Sequence, residues 1–304
     1  MKEMKTILAV GSIAIDTLQT PNGNRENILG GSATYFAMAA GLFAPVKLVG
    51  VVGNDYPETG WKLFKSRNIN MDNVQVSNGK TFRWGGKYNY DYSMRETLFT
   101  KLGAFESFSP VIQQEDCHAP LIFLGNIHPS LQLDVAHRAV SAEYIVSDTM
   151  NLWIDLCPEI LKEVLGMSSI FLLNHEEAFQ FTGVKDIPLA AAKLRNAGPD
   201  IIIIKMGSEG AYMSFEDRAY YFPVFPVKKV IDPTGAGDSF AGGFMGYLAQ
   251  TIKPDFIEAV LTGSAMASYS VENFGPESLL NVTKENLDER IAVIKSLMYT
   301  SEGV

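Results

Sequence analysis

The sequence predicts an α/β protein in which helices cover a mostly parallel sheet. Short apolar runs such as Val46–Val52 alternate with longer helical stretches, a pattern typical of right-handed βαβ units. The 304 residues are 47% hydrophobic and 19% charged, which is typical of a globular protein with one large core. The sequence has no repeat of fixed period, which excludes solenoids and propellers.

The first elements follow one another in βαβ order. Thr6–Gly11 is a short apolar run that ends at glycine, as a buried strand does. Ala33–Ala44 is predicted as a helix, and its small apolar residues allow close packing on a sheet. Val46–Val52 is the next strand and precedes a helix near Thr59–Ser66.

The alternation resumes after residue 120 and continues to the last third, which is helical. We predict strands at Leu121–Leu124, Tyr144–Val146, Ser169–Leu173 and Asp200–Lys205, helices at Leu131–Val140, Pro158–Leu165, Glu176–Thr182 and Pro188–Asn196, an antiparallel edge over Ala211–Phe225, and helices at Gly237–Ala249, Asp255–Glu272 and Lys284–Met298.

Residues 80–101 interrupt this pattern. They are polar, aromatic and rich in turns, and the alternation at Lys87–Tyr92 favours exposed strands. Together with residues 17–29, interpreted as a loop, they are predicted to form a small β lid on a single domain that spans residues 1–304. Segment 80–101 holds five basic and two acidic residues, and its aromatic side chains supply stacking surfaces. The lid either closes over an acceptor and excludes water or is a solvated hairpin.

The overall charge and the cysteines exclude several classes of protein. The chain has 25 Lys and Arg against 34 Asp and Glu, a net charge of −9, which argues against a nucleic-acid partner because phosphate contacts need a basic surface. No run approaches the ~20 apolar residues of a membrane span, and no signal peptide is expected. Cys117 and Cys157 form no CxxC motif, which favours a reducing, cytoplasmic location.

The strongest chemical signal is the segment Asp-Pro-Thr-Gly-Ala-Gly-Asp at residues 232–238. A turn at Thr234–Gly237 that opens a helix lets backbone N–H groups converge on an anion, and the helix dipole favours a phosphate there. Asp238, in the first helical turn, is then placed to accept the proton of an attacking hydroxyl group. The alternative is a tight strand–helix turn in which Asp238 only caps the helix. Phe240 excludes a Rossmann GxGxxG fingerprint.

Six segments together resemble the ribokinase-like (PfkB) family of sugar and nucleoside kinases. The segment 232–243 is similar to the family's C-terminal signature, and the other five occur in family order: Gly11–Asp16, Gly30–Ala33, Val49–Asp55 with Gly60, Asn174–Glu177 and Lys205–Ala211. The resemblance covers residues 11 to about 275. It implies a ribokinase-like three-layer α/β/α fold with a mostly parallel central sheet and a small β lid.

The resemblance also implies which residues form the site. Asp238 would be the general base, and Gly235, Ala236 and Gly237 would form the anion hole. The acceptor would lie against Asp16, Gly30, Gly31 and Tyr35, and ATP would lie against Asn174, Lys205, Gly207, Gly210, Thr234, Gly235 and Gly237. Asn126 is a further candidate acceptor contact, because it follows a predicted strand whose end faces the predicted acceptor site. Glu177 would act on Mg²⁺, through water. Tyr35 stands where the family usually has asparagine, so it either stacks on the acceptor or fills the core.

Asp16 and Asn174 each also have a purely structural interpretation. Asp16 follows the first strand, where open α/β sheets bind ligands, and its carboxylate suits two substrate hydroxyl groups; alternatively it only forms a turn. Asn174 precedes a helix and is also a suitable N-cap. Asp148 ends a predicted strand and is expected near the phosphates.

These observations favour an ATP- and Mg²⁺-dependent kinase. It would transfer the γ-phosphoryl group to a hydroxyl group of a sugar, polyol or nucleoside, with a homodimer formed through the lid as in related kinases. A kinase of a vitamin-precursor alcohol and a non-catalytic sugar- or nucleotide-binding or regulatory protein on the same fold are the alternatives.

Overall fold

Two sheets organise the part of the chain that the computed structural model describes, residues 4–301. The strands in these residues are β1 (Ile7–Val10), β2 (Ala14–Thr20), β3 (Gly23–Gly30), β4 (Val46–Gly53), β5 (Asn70–Ser77), β6 (Phe82–Tyr88), β7 (Arg95–Lys101), β8 (Leu121–Leu124), β9 (Tyr144–Asp148), β10 (Ile170–Asn174), β11 (Ile201–Lys205), β12 (Ala211–Phe215) and β13 (Arg218–Phe222). Within the described residues, nine strands form a large sheet in the order β13-β12-β11-β10-β9-β8-β1-β4-β5. Its pairing is parallel from β5 to β11 and antiparallel at β12 and β13, which confirms the predicted fold class.

Helices cover both faces of the large sheet. They are α1 (Ser32–Ala40), α2 (Glu58–Ser66), α3 (Pro129–Arg138), α4 (Asn151–Leu156), α5 (Pro158–Met167), α6 (His175–Thr182), α7 (Ile187–Arg195), α8 (Ala236–Ala249), α9 (Phe256–Ser270) and α10 (Lys284–Ser301). Along β11, Ile201 and Ile203 enter the core shared with α1, α8 and α9. Ile202 and Ile204 enter the core shared with α3, α5 and α7. Because successive side chains of a strand point to opposite faces, one apolar strand serves both cores.

A second sheet, called the small sheet from here on, has the order β3-β2-β6-β7. It includes the segment that the sequence predicted as a loop at 17–29, which instead forms most of the antiparallel hairpin of β2 and β3. The sequence does not indicate β3 because most of this strand is exposed and polar. Its pairing depends on β2, which in turn pairs in parallel with β6, a strand more than sixty residues further along the chain. The edge strand β5 was missed for the same reason, since few of its side chains are buried.

The parallel strands bring distant polar residues to one edge of the large sheet. Asp148, Asn174 and Lys205 are the last residues of three neighbouring strands, and Asn174 and Lys205 are register partners. Ligands bind at the carboxyl ends of strands in open α/β sheets. The fold therefore places these three side chains where a ligand would lie. The described residues contain no helix that is both long and apolar enough to cross a membrane.

Candidate active site

The glycine turn, residues 233–237, leads directly into α8. Gly235 is the N-cap of the helix and has a φ of 75°, a conformation that glycine adopts without strain. A Cβ atom at this position would also overlap the ring of Tyr35, which is 1% exposed. The structure thus places Tyr35, predicted to contact the acceptor, with its ring packed against the turn. Its buried hydroxyl group has no protein partner among the described residues.

Asp232 stabilises the glycine turn by accepting a hydrogen bond from it. It is fully buried, and its Oδ1 atom accepts a hydrogen bond of 3.0 Å from the backbone N–H of Thr234. Its other oxygen has no partner in the described structure. Burial raises the pKa of Asp232 despite the bonds from Thr234. Asp232 is the first residue of the 232–238 motif, but its burial beneath the turn was not predictable from the sequence.

Asp238 lies in the first turn of α8, beside the free backbone N–H groups of the helix start. Its pKa is raised to about 7, chiefly by burial and then by the nearby carboxylate of Asp148, while the charges of Lys205 and Arg95 act in the opposite direction. A carboxylate with a pKa near the working pH is suited to accept a proton. Asp238 therefore has the position and the acidity that a general base needs.

Lys205 brings a positive charge to the glycine turn. Its ammonium group bonds the carboxylate of Asp148 at 2.7 Å, and a Cβ atom at Gly237 would lie only 3.0 Å from Nζ. Burial acts to lower the pKa of Lys205, but Asp148 and Glu177 outweigh it and the pKa is raised. The lysine is therefore charged and lies against the start of α8. An anion at the helix N-terminus would meet both the dipole and this ammonium group.

Asn174 and Glu177 form a capping box at the start of α6. Asn174 Oδ1 accepts the N–H of Glu177 at 2.9 Å, and Glu177 Oε2 accepts the N–H of Asn174 at 2.8 Å. Burial, followed by the charge of Asp148, raises the pKa of Glu177 to about 7. The structural interpretation of Asn174 as an N-cap is thus correct. It leaves Glu177 Oε1 without a partner in that motif.

The carboxylates near the glycine turn fit a hydrated Mg²⁺ better than a directly bound one. Asp148 raises the pKa of both Glu177 and Asp238, which indicates that its carboxylate interacts with each of them. Among the described residues, however, no three acidic, histidine or cysteine side chains are close enough to hold a metal together. Mg²⁺ commonly keeps several waters and is bound through one or two carboxylates and the phosphates of a substrate. This donor set matches that arrangement.

Asp16 is the carboxylate that the sequence predicts to bind the acceptor. It lies on β2, is 3% exposed, and has a pKa raised to about 8 by burial and then by Asp232 and Asp238. A Cβ atom at Gly30 would lie 2.5 Å from its Cγ atom, so glycine there makes room for the carboxylate. Gly31 has a φ of 93°, and a Cβ atom there would lie 2.7 Å from the carbonyl carbon of Ser12. The paired glycines are therefore needed for packing as well as for any approach by a ligand.

The remaining predicted residues lie around this core. Asn126 follows β8, and its Oδ1 atom accepts a 2.9 Å hydrogen bond from the indole N–H of Trp153 in α4. Gly207 begins the short helical turn that follows β11, and Gly210 is the residue directly after it. Gly210 is buried, and Gly207 is exposed. The structure thus places both glycines beyond the end of the strand that carries Lys205.

The small sheet contacts the glycine turn directly. The hydroxyl groups of Tyr88 and Thr234 are 3.0 Å apart, and the Tyr92 hydroxyl group donates to the carbonyl oxygen of Ile231 at 3.1 Å. Arg95 is the register partner of Tyr88 in the neighbouring strand. Tyr88 is not among the site residues expected from the sequence, because its contact with Thr234 joins residues 146 positions apart.

The chain is similar to known proteins over nearly its whole length. Residues 4–283 match the family model described as pfkB family carbohydrate kinase. The chain is 30% identical over 251 residues to a cytidine kinase of Thermococcus kodakarensis, which covers 80% of this chain and 89% of the relative. The nucleoside kinase of Methanocaldococcus jannaschii superposes with a TM-score of 0.78 at 22% identity, covering 96% of this chain and 99% of that one. The aminoimidazole riboside kinase of Salmonella enterica, solved with aminoimidazole riboside and an ATP analogue, superposes with a TM-score of 0.75 at 20% identity, covering 94% and 99%.

Proposed function

This chain belongs to the pfkB family of carbohydrate kinases, and from that membership we propose that it transfers the γ-phosphoryl group of ATP to a hydroxyl group of a sugar, polyol or nucleoside. One observation carries the proposal: Asp238 lies in the first turn of α8, and the ammonium group of Lys205 lies beside Gly237 at the start of the same helix. A proton acceptor (Asp238), a cation (Lys205) and the N-terminus of α8 are therefore in the same place. Phosphoryl transfer needs these groups, because its catalysis is mostly positioning and charge stabilisation.

In the proposed reaction, Asp238 takes the proton of the acceptor hydroxyl group as its oxygen bonds to the γ-phosphorus. The bond from that phosphorus to the bridging oxygen breaks, and ADP leaves. Backbone N–H groups of residues 235–237 and the ammonium group of Lys205 stabilise charge on the transferred group. Mg²⁺ bound with ATP would neutralise phosphate charge, and Glu177, together with Asp148, would hold its waters.

Asp16 would hold the acceptor in this arrangement. Two hydroxyl groups of a sugar ring can donate to one carboxylate, and Gly30, which has no side chain, lets the Asp16 carboxylate lie against its backbone. In the ligand-free protein the pKa of about 8 keeps this carboxyl group largely protonated at pH 7. Hydrogen bonds from the acceptor would favour the ionised form and lower the pKa. Tyr35 and Asn126 stay further proposed contacts.

The small sheet would act as the lid of this site. It already touches the glycine turn through Tyr88 and the preceding segment through Tyr92. Closing an active site excludes water, which suppresses hydrolysis of ATP and strengthens the charge interactions inside. A homodimer formed through the lid and a cytoplasmic location stay predictions.

The relatives support ATP and a ribose-containing acceptor. Those compared above are named cytidine kinase, nucleoside kinase and aminoimidazole riboside kinase, and the last was solved with an ATP analogue. The Lys205 and glycine-turn geometry of this chain suits the triphosphate, and the carboxylate of Asp16 suits a ring with neighbouring hydroxyl groups.

A screen of ADP release with ATP, Mg²⁺ and single acceptors tests the proposal. The panel should contain pentoses, hexoses, polyols, sugar acids, nucleosides and vitamin-precursor alcohols. We expect acceptor-dependent ADP with at least one sugar, polyol or nucleoside. ADP release with a vitamin-precursor alcohol alone would favour that alternative. If no acceptor yields ADP although a sugar or nucleotide raises the melting temperature, the chain is a binding protein and the proposal is wrong.

A further inference from the structure

Arg95 is a cation on the face of the small sheet that carries the site. Arg95 and Tyr88 are register partners in the antiparallel pair of β6 and β7, so both side chains point the same way. The hydroxyl group of Tyr88 is 3.0 Å from that of Thr234 in the glycine turn. Arg95 therefore projects from the row of the small sheet that contacts this turn.

The side chain of Arg95 is supported by an aromatic ring but has no acidic partner. Its guanidinium group lies 5.4 Å from the ring centre of Trp84, a distance at which a cation is attracted to an indole. The residue as a whole is exposed. No carboxylate among residues 4–301 forms an ion pair with it. The guanidinium group is thus oriented on the sheet, with N–H donors available for a ligand.

The charge of Arg95 reaches the proposed reaction centre. Burial, followed by the charge of Asp148, raises the pKa of both Asp238 and Glu177, and the charges of Lys205 and Arg95 act against this rise. Charge interactions weaken with distance and are screened by solvent, so an effect on both groups indicates proximity. A residue of β7 in the small sheet therefore lies near carboxylates that belong to α8 and α6.

The cation beside the start of α8 cannot by itself balance the charge of a phosphoryl group in transfer. That group carries negative charge on three oxygens. Lys205 already bonds the carboxylate of Asp148 at 2.7 Å, so part of its charge is balanced within the protein. Asp238 adds a negative charge when it is ionised to act as the base. A second, unpaired cation would offset this charge, and Arg95 is one.

We propose that Arg95 is a catalytic residue, supplied by the small sheet, whose guanidinium group donates to two non-bridging oxygens of the transferred phosphoryl group. The inference rests on the proposed kinase function and adds a residue to its mechanism. As the acceptor oxygen bonds to the γ-phosphorus and the bond to the bridging oxygen breaks, the hydroxyl proton goes to Asp238 and Arg95 keeps its own protons. A guanidinium group suits this role because it stays charged and fits two phosphate oxygens at once.

Turnover by Arg95→Gln tests the inference, with Lys87→Gln as the matched control. Lys87 is exposed and pairs in register with Glu96, so it points to the face opposite that of its neighbour Tyr88. We expect Arg95→Gln to lower kcat by about 10²–10³-fold, the usual effect of removing one group that stabilises the transition state. The KM for the acceptor should stay within a few fold of wild type. Lys87→Gln removes the same charge and should keep the wild-type kcat.

Two further measurements separate contact with the phosphoryl group from a structural role. Guanidinium ion, added at concentrations that leave the protein folded, should restore part of the kcat of Arg95→Ala and should not raise that of Lys87→Ala. In binding measurements, a non-hydrolysable ATP analogue should bind Arg95→Gln several-fold more weakly than wild type. ADP, which lacks the γ-phosphate, should bind both proteins equally.

The outcomes distinguish this inference from the proposed function. If wild type releases ADP with an acceptor and Arg95→Gln turns over at the same rate, the kinase function holds and the inference is wrong. The inference is also wrong if Lys87→Gln loses as much activity, if guanidinium ion restores none, or if binding of ADP and of the ATP analogue weakens equally. If no acceptor yields ADP with wild type, the proposed function fails, and the binding comparison alone decides whether Arg95 contacts the γ-phosphate.

Discussion

The hydroxyl group of Tyr88 lies 3.0 Å from that of Thr234, which joins the small sheet to the turn that opens α8. Tyr88 is largely buried at this contact. The hydrogen bond makes the position of the small sheet depend on the conformation of the glycine turn. If that turn binds phosphate, its occupancy and the closure of the site are coupled through these two side chains.

Removal of this bond should loosen the lid. Tyr88→Phe keeps the ring and deletes one hydrogen bond, whose net contribution is about 0.5–1.5 kcal/mol. We expect kcat with the preferred acceptor to fall by roughly 2- to 12-fold and acceptor-independent ATP hydrolysis to rise. Tyr90→Phe, at the exposed tip of the same hairpin, is the control and should leave both rates unchanged. Equal rates in Tyr88→Phe and wild type would contradict a role for the contact.

The pH dependence should follow the ionisation of Asp238. Only the ionised carboxylate can accept a proton, and its pKa is raised to about 7. Activity should therefore fall as the pH falls through about 7, with a slope of one proton in log kcat at saturating acceptor, where the bound acceptor keeps Asp16 ionised. The measurement is kcat at saturating acceptor, ATP and Mg²⁺ between pH 5.5 and 9. A profile that is flat from pH 5.5 to 7.5 would show that Asp238 does not titrate as the base.

Substitutions of Lys205 and of Asp148 should shift the pH profile of activity in opposite directions. Asp148 raises the pKa of Asp238, and Lys205 lowers it. Asp148→Asn should therefore shift the acidic limb to lower pH, and Lys205→Gln should shift it to higher pH. Both variants should also weaken ATP binding, because each disrupts the 2.7 Å ion pair between the ends of β9 and β11, the strands on either side of β10. Shifts of the same sign in both variants would disprove the electrostatic account.

Asp16 should make the protein less stable at alkaline pH. Its folded pKa is about 8 against an ordinary value of 3.8, so the folded state binds more protons than the unfolded state between these values. Its contribution to stability is complete below pH 4 and is lost as the pH rises through about 8. Asp16→Asn should therefore lose less melting temperature than wild type between pH 6 and pH 9.

The control for this prediction is Asp217→Asn, which alters an exposed aspartate in the turn between β12 and β13. It should show the wild-type dependence of melting temperature on pH. If Asp16→Asn also follows the wild-type curve, Asp16 does not carry the shifted pKa. Acceptor binding should be lost in Asp16→Asn at every pH, since the amide accepts fewer hydrogen bonds than the carboxylate.

The central strands of the large sheet were predictable because they are apolar on both faces. Runs such as Ile201–Lys205 stand out in the sequence, and their order along the chain implies parallel pairing. β3 and β5 were not predictable, since both are edge strands with mostly exposed or half-buried side chains. The backbone hydrogen bonds of β3 and β5 depend on the strands that the fold places beside them. The residue types of these two strands therefore do not reveal the pairing.

The site was predictable where its residues are consecutive. The glycine turn and Asp238 lie within one segment, so their spacing in the sequence is close to their spacing in space. The contacts of Tyr88 with Thr234 and of Lys205 with Asp148 join residues 146 and 57 positions apart. Only the parallel register of β9 to β11 and the docking of the small sheet bring these side chains together.

Turnover by Asp238→Asn tests the central claim most directly. The amide fills the same space and cannot accept the hydroxyl proton as the carboxylate does, so ADP release with the preferred acceptor should fall by about 10²–10⁴-fold. The KM for ATP and the stabilisation of the protein by acceptor should stay within a few fold of wild type. Wild-type turnover in this variant would contradict the assignment of Asp238 as the general base and, with it, the proposed mechanism.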